Sequence, residues 1–307
     1  YDSTFNIDCE KLEIAIQKVI TDGDMNPKAI IPVDLFGVPA RYRLIDEIAK
    51  KYNLKIISDC AQSPGAMYKG KIAGTLGDVG GYSFNYHKHI HTGEGGILVT
   101  NDDVIAERLR LIRNHAEAVV EGKGISNLSN MLGHNFRLGE IECAIGIEQL
   151  KKLKGLIESR QLLASRLTAG LKDLYGLTTP QVKEDRTHVY YVYPLILDLE
   201  KVGVNRESIH EALKAEGVPV SKSYQNIHLL PMYQEKIAYG SKGFPWTSEV
   251  CNRNVNYHKG ICPVAENLND FTYMGMGLCS YDLSDEDIDM IIKSFHKVWS
   301  NLDELKI

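Results

Sequence analysis

A chain of 307 residues with 44% hydrophobic and 24% charged residues has room for one large domain and a smaller one, and its composition is that of a globular protein. Its net charge of −5 is spread along the sequence without a basic stripe, which argues against nucleic acid as a partner. No apolar run approaches the ~18 residues that a membrane-spanning helix needs, and the first residues carry no signal-peptide pattern. The six cysteines are scattered without a CxxC pair, so we expect reduced thiols in a soluble cytoplasmic protein without a membrane partner.

Helical and strand patterns alternate in the first half of the chain. Asp8 is a candidate N-cap for an apolar helical stripe that begins at Leu12, and Gly23 followed by Pro27 ends this helix. Strand patterns occupy residues 28–36 (interrupted by Pro32), 54–58, 80–84 and 95–100, and helical patterns occupy residues 40–52 and the stretch capped by Asn101-Asp102. Strand, helix and strand at this short spacing predict an α/β fold with a mostly parallel sheet and flanking helices.

The second half begins with one long helical pattern over residues 139–170, of a length that often connects domains or lines a subunit interface. A strand is predicted over residues 188–198, and helices over residues 206–216 and 285–301, the last one capped by Ser284. We therefore expect a large α/β domain in residues 1–150, a connecting helix region in residues 151–185 and a smaller C-terminal α+β domain in residues 186–307.

Lys88 and Asp59 are the strongest candidates for catalytic residues. Lys88 lies within YSFNYHKHIHTGEGG (residues 82–96), and Asp59 directly follows an apolar strand pattern. Ligands of open α/β sheets bind beyond the carboxyl ends of the strands, so the position of Asp59 suits a binding site. A lysine amine and a carboxylate match the two ends of a pyridoxal phosphate site, where Lys88 would form the Schiff base and Asp59 would keep the pyridine nitrogen protonated. Ser83, at the end of the strand before Lys88, would hydrogen-bond the phosphate.

Each of these residues also has a structural interpretation. Asp59 is equally suited to capping a helix or to a solvated loop, and Lys88 to an exposed loop. His87, His89 and His91 share one face of an extended chain, so with Glu94 or Asp59 they could bind zinc, as in a metal-dependent hydrolase. The glycines after Lys88 lack the GxGxxG pattern and open no helix, which excludes a nicotinamide site.

Five stretches resemble one family. They are TFNID (residues 4–8), SDCAQSPGAMYKGKIAGTLGDVGGYSF (58–84), NYHKHIHTGEGGILVTND (85–102), GHNFRLGEIECAIGIEQL (133–150) and YQNIHLLPMY (224–233). Together they are similar to the DegT/DnrJ/EryC1/StrS group of pyridoxal phosphate-dependent sugar aminotransferases, and the similarity extends over nearly the whole chain. The resemblance implies a fold-type I transferase, in which residues 1–150 form part of the large cofactor-binding domain, and a homodimer with shared active sites.

The resemblance also implies roles for individual residues. Lys88 matches the Schiff-base lysine and Asp59 the partner of the pyridinium. Gln62 would contact the cofactor ring or its 3-hydroxyl, Ser83 the phosphate, and Asn135 the phosphate of the cofactor in the neighbouring subunit, although Asn135 also suits a plain turn. Tyr224 and His228 fall where the family lines its substrate pocket, and His87, beside Lys88, is a further candidate for substrate binding.

The chain departs from the family pattern in two places. Relatives carry about a hundred further residues before TFNID, with a Ser-Gly-Thr turn at a helix N-terminus that binds the phosphate and an aromatic residue that stacks on the ring. We therefore expect the sequence to be part of a longer protein, the alternative being a dimerising fragment without cofactor. Around Lys88, Tyr86, His87 and His91 replace residues that are commonly smaller or apolar.

The resemblance implies transfer of an amino group from glutamate or glutamine to a nucleotide-linked keto-sugar, as used in polysaccharide biosynthesis. A related activity is dehydration of a keto-sugar with the same cofactor, but family members with that activity typically carry histidine in place of the lysine. Lys88 therefore favours amino transfer.

Overall fold

The computed structural model describes residues 4–117, 129–222, 224–251 and 253–306. The sequence also predicts a loop over residues 126–135, of which residues 126–128 lie outside this description. The chain forms two compact units, the first made of Tyr1–Arg166, Gln181–Tyr193 and Leu278–Leu283, the second of Leu167–Pro180, Pro194–Gly277 and Ser284–Ile307. The first two borders between the units, at residues 166/167 and 180/181, fall inside the predicted connecting region, and the domain ranges of the whole protein stay a prediction.

The first unit follows the predicted order of helices and strands. Its helices are α1 (Cys9–Asp22), α2 (Tyr42–Tyr52), α3 (Asp103–Arg113) and α4 (Glu140–Leu171), of which α4 ends in the second unit, and its strands are β1 (Ala29–Ile30), β2 (Lys55–Asp59), β3 (Met67–Tyr68), β4 (Lys71–Ile72), β5 (Val79–Ser83) and β6 (Gly96–Val99). Asp8 caps α1 by accepting hydrogen bonds from two backbone amides, and Gly23 ends it in the left-handed conformation, which glycine adopts without steric cost.

The sheet that carries the candidate site has the strand order β1-β2-β5-β6. β1, β2 and β5 run parallel, and β6 is antiparallel to β5. Helices α1 and α2 share a hydrophobic core with β1 and β2, to which Ile16, Ile30, Ile45 and Ile56 contribute. The sheet is thus mostly parallel with flanking helices, as predicted.

The first predicted strand is shorter than expected. Only Ala29–Ile30 forms a strand, and Leu35–Gly37 is a single 3₁₀ turn instead of its continuation. Pro32 has no amide hydrogen and cannot donate to a sheet, although its carbonyl accepts a hydrogen bond from the Asp59 amide. The short hairpin of β3 and β4 was not predicted, because two-residue strands are too short for a period to be visible.

The second unit contains a four-stranded sheet in the order β7-β8-β10-β9, formed by β7 (Leu177–Thr178), β8 (Tyr193–Leu197), β9 (Val220–Ser221) and β10 (Tyr273–Met276), the first residue of β8 belonging to the first unit. Its helices are α5 (Leu199–Val202), α6 (Arg206–Ala215), α7 (Pro231–Gln234), α8 (Pro263–Asn267) and α9 (Asp285–Ser300). Ser284 and Asp287 form a reciprocal capping box at the start of α9. Among the helices of the described residues, none combines the length and apolar character that a bilayer crossing requires.

The strand predicted over residues 188–198 is also shorter, since it begins only at Tyr193. Tyr190 has a positive φ of 53°, which interrupts an extended strand. The Val189 amide donates to the Gly37 carbonyl at 2.9 Å, so this segment belongs to the first unit and not to the sheet of the second.

Candidate active site

Asp59 and Ser83 are the last residues of the neighbouring parallel strands β2 and β5. Asp59 is paired in register with Gly81, and the following amide, of Cys60, donates to the Gly81 carbonyl at 2.8 Å. The carboxyl ends of two parallel strands thus bring Asp59 and Ser83 to the same edge of the sheet, where open α/β sheets bind ligands.

Lys88 lies in a loop that connects β5 and β6 and is closed at its base by backbone hydrogen bonds. The Phe84 amide donates to the Gly95 carbonyl at 2.9 Å, and the Thr92 amide donates to the Phe84 carbonyl at 3.0 Å. The Lys88 amide donates to the Asn85 carbonyl at 3.0 Å. These bonds fix the backbone of Lys88 relative to the end of β5, which a lysine needs if it is to reach one defined atom of a ligand.

The Lys88 amine lies in a desolvated and aromatic environment. Its Nζ is 4.3 Å from the centroid of the Tyr191 ring, within the range of a cation–π contact. Burial lowers the pKa of Lys88, and the negative charge of Asp59 acts in the opposite direction. The two residues predicted to form the ends of the site are therefore within electrostatic reach of each other.

The three histidines of the loop point to different partners. His89 is 3% exposed, and its Nε2 lies 2.8 Å from the Val189 carbonyl. Burial lowers the pKa of His89 to about 3, so its ring is neutral. His91 is exposed and its Nδ1 accepts a hydrogen bond from the Gly93 amide, whereas the half-buried His87 lies edge-on against Tyr86.

The zinc site predicted as an alternative is therefore wrong. Within the described residues, the only group of three ligand atoms close enough together for a metal ion is Glu207, His210 and Glu211 on α6. There the His210 Nδ1 lies 2.9 Å from Glu211, and Glu207 is paired with Lys222. His87, His89 and His91 do not converge, because the His89 ring contacts the Val189 carbonyl, the His91 ring the Gly93 amide and the His87 ring the side chain of Tyr86.

Gln62 lies in a turn, and Asn135 lies in an isolated backbone bridge. Gln62 is half-buried, and its Oε1 accepts a hydrogen bond of 2.6 Å from the Phe36 amide. Asn135 is exposed and is held by a backbone bridge to Asn114. Nothing in these contacts tests the predicted role of either residue in cofactor binding.

Two further candidates lie in the second unit. Tyr224 is 41% exposed, and its ring is 6.5 Å from that of Tyr273. The Nε2 of His228 lies 2.8 Å from Glu266, whose side chain is only 8% exposed. Their predicted role in the substrate pocket remains untested.

Several groups around Lys88 were not found by sequence reasoning. Tyr191 lies within a predicted strand, and it is so far from Lys88 along the chain that the sequence gives no sign of their contact. Cys279 and Arg160 lie near Lys88. Burial raises the pKa of Cys279 to about 11, and the positive charges of Arg160 and Lys88 oppose this rise. Arg160 Nη1 and His89 Nδ1 are buried atoms without a hydrogen-bond partner among the described residues. No local pattern in the sequence signals these long-range contacts.

The residues fit pyridoxal phosphate. The cofactor requires an amine with a lowered pKa to bond its aldehyde and a carboxylate to pair with its ring nitrogen. Lys88 and Asp59 supply this pair from one edge of the sheet, and the buried, unpartnered atoms of Arg160 and His89 leave polar groups available beside it. Lys88 and Asp59 would hold the two ends of the ring.

Residues 1–263 match the model of the DegT/DnrJ/EryC1/StrS aminotransferase family. The chain is 33% identical to an uncharacterised protein of Methanocaldococcus jannaschii over 82% of this chain and 65% of that protein. It is also 33% identical to the GDP-perosamine synthase of Caulobacter vibrioides, over 75% of this chain and 59% of the synthase. The crystal structure of a DegT/DnrJ/EryC1/StrS aminotransferase from Brucella abortus superposes with a TM-score of 0.78 at 32% identity, covering 96% of this chain and 70% of that one.

The chain spans less than two thirds of the length of these two sequence relatives. Its own residues are nevertheless matched almost completely by the Brucella abortus structure, which supports the fold-type I architecture predicted from the sequence.

Proposed function

Because this chain belongs to the DegT/DnrJ/EryC1/StrS aminotransferase family, whose members use pyridoxal phosphate, we propose that the protein transfers an amino group to a keto-sugar, with glutamate or glutamine as donor. A nucleotide-linked keto-sugar is the proposed substrate class, supported by the similarity to a GDP-perosamine synthase. The observation that carries the proposal is the half-buried Lys88 amine within electrostatic reach of Asp59.

Lys88 is assigned two tasks. Pyridoxal phosphate, when bound, supplies the electron sink that makes amino transfer possible. Desolvation lowers the pKa of Lys88, which increases the neutral fraction able to attach the cofactor. The same amine would move the proton at the substrate carbon, and the backbone hydrogen bonds that close its loop support this role.

Asp59 is assigned to the ring nitrogen, where a carboxylate favours the protonated pyridine. Gln62 is assigned to the ring or its hydroxyl, and Ser83 to the phosphate. Asn135 would serve the cofactor of the partner subunit, which makes a homodimer with shared sites part of the proposal. The proposed substrate contacts are His87, Tyr224 and His228.

The experiment that tests this function is a screen of nucleotide-linked keto-sugars for amination with glutamate and with glutamine, using the full-length protein. We expect an amino-sugar product from the wild type and none from Lys88→Ala. Asp59→Asn should remain folded and lose at least about 100-fold in rate, because the uncharged amide no longer favours the protonated ring. Asp46→Asn, which removes a surface carboxylate paired with Lys50, is the matched control and should keep full activity.

Product analysis separates amino transfer from dehydration. Amination consumes one donor amino group per sugar, whereas dehydration removes a hydroxyl and leaves the donor unchanged. Loss of a hydroxyl without net amination, or undiminished turnover by Lys88→Ala, would contradict the proposal.

A further inference from the structure

The second unit contains a buried carboxylate with an unusual set of hydrogen bonds. Glu266 in α8 is 6% exposed. The single N–H of Gly260 is shared between the two oxygens of Glu266, each 2.8 Å from the Gly260 nitrogen. Oε1 also accepts a hydrogen bond of 3.1 Å from the Cys262 amide. The fourth contact is the 2.8 Å hydrogen bond between Oε1 and Nε2 of His228. Buried carboxylates are stable only when hydrogen-bonded in this way.

These contacts determine which atom of the Glu266–His228 contact carries the proton. Burial opposes ionisation of Glu266, but the amides of Gly260 and Cys262 and the contact with His228 outweigh it and lower the pKa of the carboxyl. An ionised carboxylate can only accept hydrogen bonds, so the proton in the contact with His228 belongs to Nε2. In the neutral imidazole, Nδ1 is then an acceptor.

The position of the His228 backbone is fixed as well. Its carbonyl accepts a hydrogen bond of 2.7 Å from Gln234, and the same Gln234 amide group donates to the Tyr257 carbonyl at 2.7 Å. The His228 side chain is 10% exposed, and its Nδ1 forms no hydrogen bond with any residue that the structure describes. A ring held at Nε2 and at its backbone thus presents one defined acceptor atom.

We propose that Glu266 is a positioning residue that fixes His228 as the Nε2–H tautomer, so that Nδ1 accepts a hydrogen bond from a hydroxyl of the sugar substrate. The inference rests on the proposed function, since it makes His228 a substrate contact. An acceptor at Nδ1 favours a sugar whose carbon facing His228 carries a hydroxyl. A carbonyl or a hydrogen on that carbon would leave Nδ1 without a hydrogen bond.

Glu266 also holds the turn at Gly260 and Cys262, so a test must separate positioning from folding. Glu266→Gln keeps the size and one acceptor oxygen but removes the charge that fixes the tautomer. Glu216→Gln is the matched control, because it removes an exposed carboxylate of the same unit that pairs with Lys297.

The kinetic test compares the two half-reactions of the full-length protein. In Glu266→Gln, the half-reaction with the amino donor should keep its rate within about two-fold, while KM for the keto-sugar rises on the order of ten-fold, the cost of one hydrogen bond. A sugar analogue that lacks the contacted hydroxyl should show the same loss with the wild type and no further loss with Glu266→Gln. Equal changes in both half-reactions, or an unchanged KM, would overturn the proposal.

The second readout does not depend on activity. The ¹⁵N chemical shifts of the His228 ring should show a proton on Nε2 in the wild type and in Glu216→Gln, and a mixture of tautomers in Glu266→Gln. A proton on Nδ1 in the wild type would refute the inference. If the wild type aminates no keto-sugar, the proposed function fails, and the ring shifts still decide whether Glu266 sets the tautomer.

Discussion

Asp34 is a fully buried carboxyl group whose backbone is hydrogen-bonded to Asp59. Its amide donates to the Asp59 carbonyl at 2.9 Å, and its side chain accepts hydrogen bonds from the Ala40 amide, Tyr42 and Ser63, with the Cys60 thiol at 3.3 Å. Burial raises the pKa of Asp34 to about 6, and the hydrogen bonds only partly offset this rise. The segment next to Asp59 therefore contains a group that titrates in the folded protein.

We predict that Asp34 makes the first unit less stable as the pH rises. A carboxyl with a folded pKa above its unfolded value binds its proton more tightly in the folded state. Its stabilising contribution is complete below about pH 4 and is lost as the pH rises through the folded value of about 6. The change from 3.8 to about 6 corresponds to roughly 3 kcal/mol.

Urea unfolding followed by circular dichroism checks this prediction in the wild type and in Asp34→Asn. The difference in unfolding free energy between the two proteins should change by roughly 3 kcal/mol between about pH 4 and pH 7, because the asparagine side chain does not titrate. Asp46→Asn is the control for an exposed carboxyl group and should run parallel to the wild type. A constant difference between Asp34→Asn and the wild type would show that Asp34 has an ordinary pKa.

At the scale of single residues, local chemistry decided what the sequence could predict. Asp8 and Ser284 were predicted as helix caps because a cap needs only an acceptor side chain beside the first free amides. Lys88 and Asp59 stood out by their motif. The contact of Tyr191 with Lys88 and the partners of Asp34 were not predicted, because they depend on how distant segments pack.

At the scale of elements, β5 joins the sheet to the loop of Lys88 and depends on a very close backbone contact. A Cβ at Gly80 would lie 2.0 Å from the Gly74 carbonyl oxygen and 2.5 Å from the Gly74 Cα. Backbone atoms cannot move away as a flexible side chain can, so only glycine fits at this position. The position of β5, which ends at Ser83, therefore depends on the absence of a side chain at Gly80.

We predict that Gly80→Ala destabilises the first unit by about 3 kcal/mol, as expected of overpacking against a rigid neighbour. It should also weaken binding of pyridoxal phosphate, because Ser83 lies at the end of the same strand. Unfolding in urea and a cofactor titration measure the two effects. Gly155→Ala is the matched control: a Cβ on this glycine of α4 meets no atom within 4 Å, and the change should stabilise the helix by up to ~1 kcal/mol. Equal stability of the two variants would contradict the role of the contact.

The long helices and the strands β2, β5 and β6 were predicted within one or two residues, whereas the strands expected at residues 28–36 and 188–198 are much shorter than predicted. The helix expected at residues 139–170 is α4, Glu140–Leu171, because a 3.6-residue period repeats many times over its length. The segment after β1 looked like a continued strand, but Pro32 and the turn at Leu35–Gly37 redirect it. A composition rich in Tyr and Val favoured a strand at residues 188–192, and a single positive φ at Tyr190 overrides that propensity.

At the scale of the whole molecule, the exposed apolar residues of α4 bear on the proposed homodimer. In the N-terminal half of this helix, which belongs to the first unit, four apolar side chains are 43–76% exposed: Ile141, Ile145, Ile147 and Leu150. Apolar residues repeated along one helix are typical of a surface that another chain covers. This pattern supports the prediction from the sequence that the long helix lines a subunit interface.

We predict that the double change Ile147→Asp and Leu150→Asp converts the proposed homodimer of the full-length protein to a monomer at micromolar concentration, because burying two carboxylates in an interface costs several kcal/mol. Sedimentation velocity measures the result. Lys152→Glu alters charge at an exposed position of the same helix and should leave the dimer intact. A dimer that survives the double change would place the interface elsewhere, and a monomeric wild type would contradict the proposal of shared sites.

The account as a whole depends on Lys88 as the residue that attaches the cofactor opposite Asp59. The most direct test is to incubate the full-length protein with pyridoxal phosphate, reduce it with borohydride and map the modified peptide by mass spectrometry. We predict that the added mass lies on Lys88 and that Lys88→Arg, which keeps the charge, takes up none. Modification of a different lysine, or equal labelling of Lys88→Arg, would contradict the assignment.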